Sequence, residues 1–439
     1  MNNHAFLTIL VFSLAAGTNA QEHRGVTLGE VLEAALSRHP SLRFAEARRA
    51  AADGRADELR SGFLPQLKLS GRAAYLSDVP EFSVPFISQP LFPSIRNSYG
   101  ARLSVQQNLF TGFRLNSSVN MAEANAFAEH HNLERDRSDF ILNVTMAYWN
   151  LYRAERVVDV LKQSLDQVSA HVEDVRRFRS QGLTTEADVL KVETQRSEIN
   201  VKSIQARGNL KIAQMNLNSL MGMPLESSIN PIDHPFADTI RTTELDLTTI
   251  IQTARSRRPE VAAMEQRKVM QQAALTAARG GWYPAIILSA NLDYARPNSR
   301  IIPPIDQWET TWDVGVQLQW NIWDWFATAA QADQARAQLI QAEAALNLVH
   351  DAVALEAAQS YFTLQEAMER IAAAELGKKQ ATESHRVMSE RFSQGLASST
   401  DLLDAETALL QARLTETQAI TEVAIQRERF RKSLGGFRE

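Results

Sequence analysis

The 439-residue chain contains no cysteine, which excludes disulfides, thiol catalysis, cysteine metal sites and an N-terminal lipid anchor on cysteine. Its nine histidines are scattered without metal-ligand spacing, so neither a metal nor a cofactor is expected. Phosphate loops, Gly-x-Ser-x-Gly and HExxH are also missing, and the acidic residues fall mostly on helix faces, so the chain does not read as an enzyme. The net charge is only −5 with acids and bases interspersed, which argues against a nucleic-acid surface or a polybasic tether. Beyond residue 17 no stretch is long and apolar enough for a transmembrane helix. A role in a membrane would therefore have to use strands.

The early apolar run at residues 5–17 ends in Thr18-Asn19-Ala20, small enough at its −3 and −1 positions for signal peptidase. It is too short to span a bilayer as an anchor. Residues 1–20 therefore read as a signal peptide, although the segment before the run lacks the usual Lys or Arg, and the mature chain starts at Gln21.

What the chain does contain is a duplication. Pro40, Gly62, Pro65, Leu69 and Tyr75 recur as Pro259, Gly281, Pro284, Leu288 and Tyr294, displaced by 259 − 40 = 219 residues. Asn108, Tyr148, Gly182, Asp188, Leu190 and Glu193 recur as Asn321, Tyr361, Gly395, Asp401, Leu403 and Glu406, displaced by 395 − 182 = 213 residues. One length change between Tyr75 and Asn108 accounts for the difference. A first repeat over 21–222 and a second over 247–439 flank a polar, proline-rich linker at 223–246, and both repeats must build the same unit.

Each repeat opens with a short helix that follows Pro40 or Pro259 and ends at Gly62 or Gly281. Further on, residues 114–181 lack glycine and proline and are rich in helix formers, enough for a helix of about 100 Å. The second half repeats this from Ala327 to Gln394, interrupted by Gly377 alone. Apolar positions at three- and four-residue spacing predict coiled-coil-like packing. Both runs stop at Ser-Gln-Gly-Leu, with Gly182 and Gly395 placed to adopt the left-handed conformation. Thr185 to Asp188 and Ser398 to Asp401 then read as capping boxes that start a return helix. Each half thus forms a long helical hairpin, with tips at 182 and 395.

Four segments, at about 64–75, 98–109, 284–294 and 311–322, switch to strict alternation, the mark of a sheet with one apolar and one polar face. Leu67, Leu69, Ala73 and Tyr75 alternate with Gln66, Lys68, Ser70 and Arg72; Trp312, Val314, Val316 and Leu318 alternate with Asp313, Gln317 and Gln319. At roughly 10 to 12 residues each strand matches a tilted bilayer crossing. Tyr75, Tyr99, Trp282, Trp308, Trp312, Trp320, Trp323 and Trp325, with Phe110 and Phe113, fit aromatic girdles at the two interfaces. A soluble sheet is the alternative, but no other segment could cover the apolar face. Four strands cannot close a barrel, and lipid does not tolerate open edges, so the chain must oligomerise. Two copies would give eight strands and three would give twelve, the latter wide enough for a water-filled lumen. The proline-containing loops Asp78 to Asn97 and Arg296 to Gln307 are expected outside the cell.

The signal peptide, the duplicated strand-pair and long-helix unit, the proline-initiated helices and the Gly-Leu tips together resemble the outer-membrane efflux protein family, the TolC-like outer-membrane factors. The resemblance covers essentially the whole mature chain. It implies an α+β membrane protein: a homotrimer whose four transmembrane strands per chain close a twelve-stranded barrel, continued by a long periplasmic α-helical coiled-coil barrel. It also implies location in the outer membrane of a Gram-negative bacterium, contact with outer-membrane lipid, and two partners: a periplasmic adaptor and an inner-membrane pump of RND, ABC or MFS type. The function implied is a passive duct for drug efflux or type I protein secretion. A pore-less periplasmic coiled-coil scaffold is the alternative, against which the four alternating strands argue.

The same resemblance places a pore gate at the hairpin tips. Acidic rings six and nine residues after the second tip glycine fall on Asp401 and Asp404, and capping offers a second role for Asp401. Where the family often has an arginine two past that glycine this chain has Ala397, and where it has a tyrosine three before, this chain has Phe392. The first-hairpin partners are Ala187 and Asp188. The familiar closed-state lock cannot form as such, and a closed state fastened through Arg391 or Arg179 is expected instead. Gly182, Leu183, Gly395 and Leu396 are the expected adaptor contacts, since a leucine exposed at a tip calls for a partner.

Overall fold

The computed structural model describes residues 24–80, 93–235 and 246–436. The expected signal peptide, residues 81–92 of the first inter-strand loop and residues 236–245 of the linker lie outside these. In chain order the elements are β1 (Arg24–Val26), α1 (Leu28–Arg38), α2 (Pro40–Arg60), β2 (Gln66–Tyr75), β3 (Asn97–Phe110), α3 (Arg114–Ser180) and α4 (Glu186–Leu220). There follow β4 (Ile229–Pro231), α5 (Leu247–Arg257), α6 (Pro259–Arg279), β5 (Ala285–Arg296), β6 (Glu309–Gln319), α7 (Ala327–Ser393) and α8 (Ser399–Ser433). The helices obey the internal displacement at both ends: α1 and α2 become α5 and α6 on adding 219, and α3 and α4 become α7 and α8 on adding 213.

Two compact units cut across the repeats. One comprises the described residues within Met1–His39, Phe140–Thr242 and Phe362–Arg429; the other comprises those within Pro40–Asp139, Thr243–Tyr361 and Phe430–Glu439. In the first unit the hairpin helices bury an aliphatic core spaced in heptads: Leu161, Val168 and Val175 on α3; Val192, Ile199 and Ala206 on α4; Leu403 and Leu410 on α8. A seven-residue repeat keeps these side chains on one stripe of each helix, the spacing of coiled-coil packing. The linker also supplies a strand absent from the alternation pattern: β4 pairs parallel with β1. Buried Tyr148 pins this small sheet, its hydroxyl donating to the Val26 carbonyl at 3.0 Å and lying 3.1 Å from an Asp233 carboxylate oxygen.

The second unit contains the main sheet, antiparallel throughout in the order β2-β3-β5-β6. Its register lines up Leu69, Leu103, Leu292 and Trp312 across all four strands, and Ser70, Arg102, Asp293 and Thr311 in the row beside them. Apolar and polar rows therefore alternate, and a one-residue slip would mix the faces. The apolar face is bare in the single chain, with Leu69, Trp312, Val316 and Leu318 all exposed.

Two local departures from strict alternation have physical causes. A bulge between Asn108 and Phe110 inserts Leu109 as an extra residue in β3, which a period-two pattern does not reveal. And β6 ends at Gln319 rather than near 322, because its partner β5 begins at Ala285, opposite Gln319, so Trp320 to Ile322 find no strand beside them among the described residues. Below the strands, Gly112 and Gly280 meet back to back: a Cβ on either would lie 2.5 Å from the other's carbonyl oxygen. Here glycine is required.

Candidate functional site: the hairpin tips and the polar face of the sheet

Both tips are built alike. Gly182 and Gly395 sit at φ +75° and +70°, and each closes its helix with paired backbone bonds. Leu183 donates to the Phe178 carbonyl at 2.9 Å and Gly182 to that of Arg179 at 2.9 Å; Leu396 donates to Arg391 at 2.8 Å and Gly395 to Phe392 at 2.9 Å. This is the Schellman arrangement, in which the left-handed residue lets two otherwise orphaned carbonyls find donors. It turns Leu183 and Leu396 outward, 71% and 70% exposed.

The return helices start on reciprocal caps. The Asp188 amide donates to Thr185 Oγ1 at 3.2 Å, and Asp188 Oδ2 accepts from the Thr185 amide at 3.1 Å and from the Thr184 hydroxyl at 2.8 Å. In the second tip Asp401 Oδ2 accepts from the Ser398 amide at 2.9 Å and its hydroxyl at 2.7 Å. Hydroxyl donors, from Thr185 and then Thr184 for Asp188 and from Ser398 for Asp401, hold both carboxyls below the usual carboxylate range. Both are therefore anionic at neutral pH. Asp404, one turn further on, is exposed on the same stripe as Asp401, while Leu402 and Leu403 between them are buried. Arg391 is exposed beside the second tip. Arg179 pairs with Glu186 at 2.6 Å inside the first hairpin.

Phe392, expected among the gate residues, is instead enclosed. Its ring lies 5.2 Å from Phe178 and 5.1 Å from His171, inside the aliphatic core. A phenyl ring without a hydroxyl gains from complete burial, and its place in the helix directs it inward.

The same region holds a buried polar group not foreseen from the sequence. His171 Nδ1 lies 3.0 Å from Glu406 Oε2 and its Nε2 lies 3.2 Å from Ser399 Oγ, tying α3 to α8. All three residues are buried. The available signal was Glu406 itself, a carboxylate set between Leu402-Leu403 and Leu409-Leu410 on an otherwise apolar helix face; a buried charge requires a hydrogen-bonded partner.

On the sheet the polar rows carry paired charge. Arg102 reaches Asp293 at 2.5 Å, and Asn291 donates to Asp313 at 3.0 Å. The loop after β5 folds over this face: buried Asn298 donates to the Glu309 carbonyl and to Thr311 Oγ1, both at 3.1 Å, and Arg300 lies 3.6 Å from Asp313. The aromatics gather at the two strand ends. Tyr99 and Tyr294 stack on Trp308 at 6.2 and 4.7 Å at one end, where Tyr75 is exposed and Trp312 begins its row. At the other end the Trp320 indole donates to the Trp282 carbonyl at 3.2 Å, and Trp323 lies 5.8 Å from Trp325. Among the described residues no helix is long and apolar enough to cross a membrane.

Comparison with known proteins agrees with this architecture. The outer membrane efflux protein BepC of Brucella suis is 24% identical over 324 residues, 74% of this chain and 69% of its own length. TolC of Escherichia coli is 21% identical over 423 residues, 94% of this chain and 83% of its own. Among solved structures, the outer membrane protein VceC of Vibrio cholerae shares the fold with a TM-score of 0.80 at 20% identity, covering 93% of this chain and 96% of its own. The model of the outer membrane efflux protein family matches residues 31–223 and 250–436. The chain belongs to the outer membrane efflux protein family.

Proposed function

We propose that the protein is the outer-membrane duct of a tripartite export system in a Gram-negative bacterium, a passive homotrimer with a large periplasmic portion. The observation that carries this reading is the four-stranded sheet, with one bare apolar face, one polar face and two unpaired edges. Edges of this kind are not stable in lipid, and three copies close twelve strands around an aqueous lumen lined by Arg102, Asp293 and Asp313. The aromatic residues at both strand ends sit at the levels of the two membrane interfaces. The helical hairpins extend the duct into the periplasm.

At the tips Asp401 and Asp404, three copies of each, set six carboxylates around the periplasmic entrance and favour cations. Asp188 and Arg391 flank this constriction, and Phe392 supports it from within the core. Leu183 and Leu396, turned outward by Gly182 and Gly395, are the contacts for the periplasmic adaptor. An inner-membrane pump of RND, ABC or MFS type supplies the energy, and the cargo is a small molecule such as a drug or a secreted protein.

Single-channel recording in planar bilayers tests the reading. Wild-type trimers should conduct and select cations, and Asp401→Ala with Asp404→Ala should weaken that selectivity. Conduction unchanged by the double substitution moves the constriction elsewhere. An oligomer that never conducts favours a scaffold.

A further inference from the structure

The duplication supplies a ruler for the edges that the single chain leaves bare. Under displacements of 219 for the first strand and 213 for the second, hairpin β2–β3 maps onto β5–β6 pair for pair. Gln66 opposite Gln106 becomes Ala285 opposite Gln319, and Tyr75 opposite Asn97 becomes Tyr294 opposite Thr310, as observed. The repeats are thus equivalent at the level of hydrogen-bond register. Inside the chain they meet along one seam, β3 against β5, where Ala101 faces Tyr294, Leu103 faces Leu292 and Ser104 faces Asn291. The same displacements carry β3 onto β6 and β5 onto β2. Those are the two edge strands, at opposite ends of the sheet, so the displaced seam can form only between two copies.

We infer that β6 of one copy pairs antiparallel with β2 of the next in the displaced register: Val314 opposite Tyr75, Val316 opposite Ala73, Gln317 opposite Arg72 and Gln319 opposite Ser70. This rests on the oligomeric duct proposed above and specifies its inter-subunit contact. The register sets Val314 and Val316 in the row of Tyr75 and Ala73, and Gln317 and Gln319 in that of Arg72 and Ser70, as the seam inside the chain sets Leu103 against Leu292 and Ser104 against Asn291. It also gives Trp320 a strand partner, since Gln107 opposite Leu288 maps onto Trp320 opposite Leu69. That accounts for alternation in the sequence running past Gln319, where β6 stops in the single chain. The equivalence ends at the base. Gly112 and Gly280 map onto Trp325 and Ser61, and neither can repeat a backbone approach that excludes a Cβ. The seam between copies is therefore matched along the strands and wider below them, where the exposed Trp325 indole stands.

A chain without cysteine makes the test direct. Arg72→Cys combined with Gln317→Cys in the full-length protein, oxidised in isolated outer membranes, should lose the monomer band on non-reducing gels to dimer and trimer bands. Ser104→Cys with Asn291→Cys, the same pair moved back by the repeat, should bridge within each copy and remain a monomer. Gln317→Cys with Ser70→Cys or with Ala74→Cys should leave the monomer band, because diagonal Cβ atoms are about 7–8 Å apart and a disulfide needs about 4 Å. Should the first pair fail to fold, Ala73→Cys with Val316→Cys repeats the test on the other face. Bridging by a displaced pair instead, or no bridging in a protein that still sediments as a trimer, overturns the register and leaves the duct standing. A single-copy protein in the membrane overturns both.

Discussion

The hairpin core and the strand sheet treat their leucines in opposite ways. Leu402 and Leu403 on α8 are 4% and 6% exposed, whereas Leu67 and Leu69 on β2 are 69% and 74% exposed. Both segments are comparably patterned, one with a heptad period and the other with a period of two. The difference lies in what completes them: α3, α4 and α8 cover one another within a single chain, while among the described residues the apolar face of the sheet has no second layer. A helix bundle satisfies its backbone internally and needs only side-chain cover. A four-stranded sheet needs cover and also partners for its two edges.

Phe392→Ala should break the hairpin side most severely, at about 3–5 kcal/mol for a large ring removed from a closed core. Thermal unfolding of the detergent-solubilised protein measures the loss. On the sheet, Val316→Arg should cost about 2–4 kcal/mol per copy at mid-membrane, seen as loss of outer-membrane trimers. Ser289→Arg, on the polar face and inside the sheet between Gln106 and Gly315, should leave assembly intact. If both arginines behave alike, the two-faced reading of the sheet fails.

Smaller effects sharpen the contrast at the tips. Ser398→Ala removes the cap of α8 and should cost about 1 kcal/mol. Acid should act in the same place. The depressed folded-state values of Asp188 and Asp401 mean that their contribution is present above the unfolded carboxylate value and lost as pH falls through the lowered one. Burial likewise depresses His385, so its contribution is complete above about pH 6.5 and declines below it as the unfolded state takes up the proton first. In acid titrations followed by helical circular dichroism, His385→Gln should flatten the upper part of the profile and Ser398→Ala the lower. Leu183→Ser with Leu396→Ser should change stability by no more than about 0.5 kcal/mol. The same pair should abolish adaptor binding in pull-down from membranes.

Much of the hairpin was legible because its signals are local. A glycine followed by leucine, then Thr or Ser three residues before an aspartate, specifies a Schellman turn and a capping box from neighbouring residues alone. The His171–Glu406–Ser399 group was not legible, since its members are 235 and 228 residues apart. Burial of Phe392 was missed for a related reason: its position relative to the tip glycine says nothing about which helix faces it. On the sheet, alternation located the strands and separated the faces, but a period of two is blind to the bulge at Leu109 and to where pairing stops.

By itself the sequence determined the duplication, the helix lengths, the tips and the two faces of the sheet, because periodicity and capping act over a few residues and the repeat reports them twice. The tertiary structure alone decided the strand order, the register, the parallel pairing of β1 with β4 and the close approach of Gly112 to Gly280. These depend on which distant backbone groups meet, and hydrogen-bond partners far apart in the chain leave no local trace.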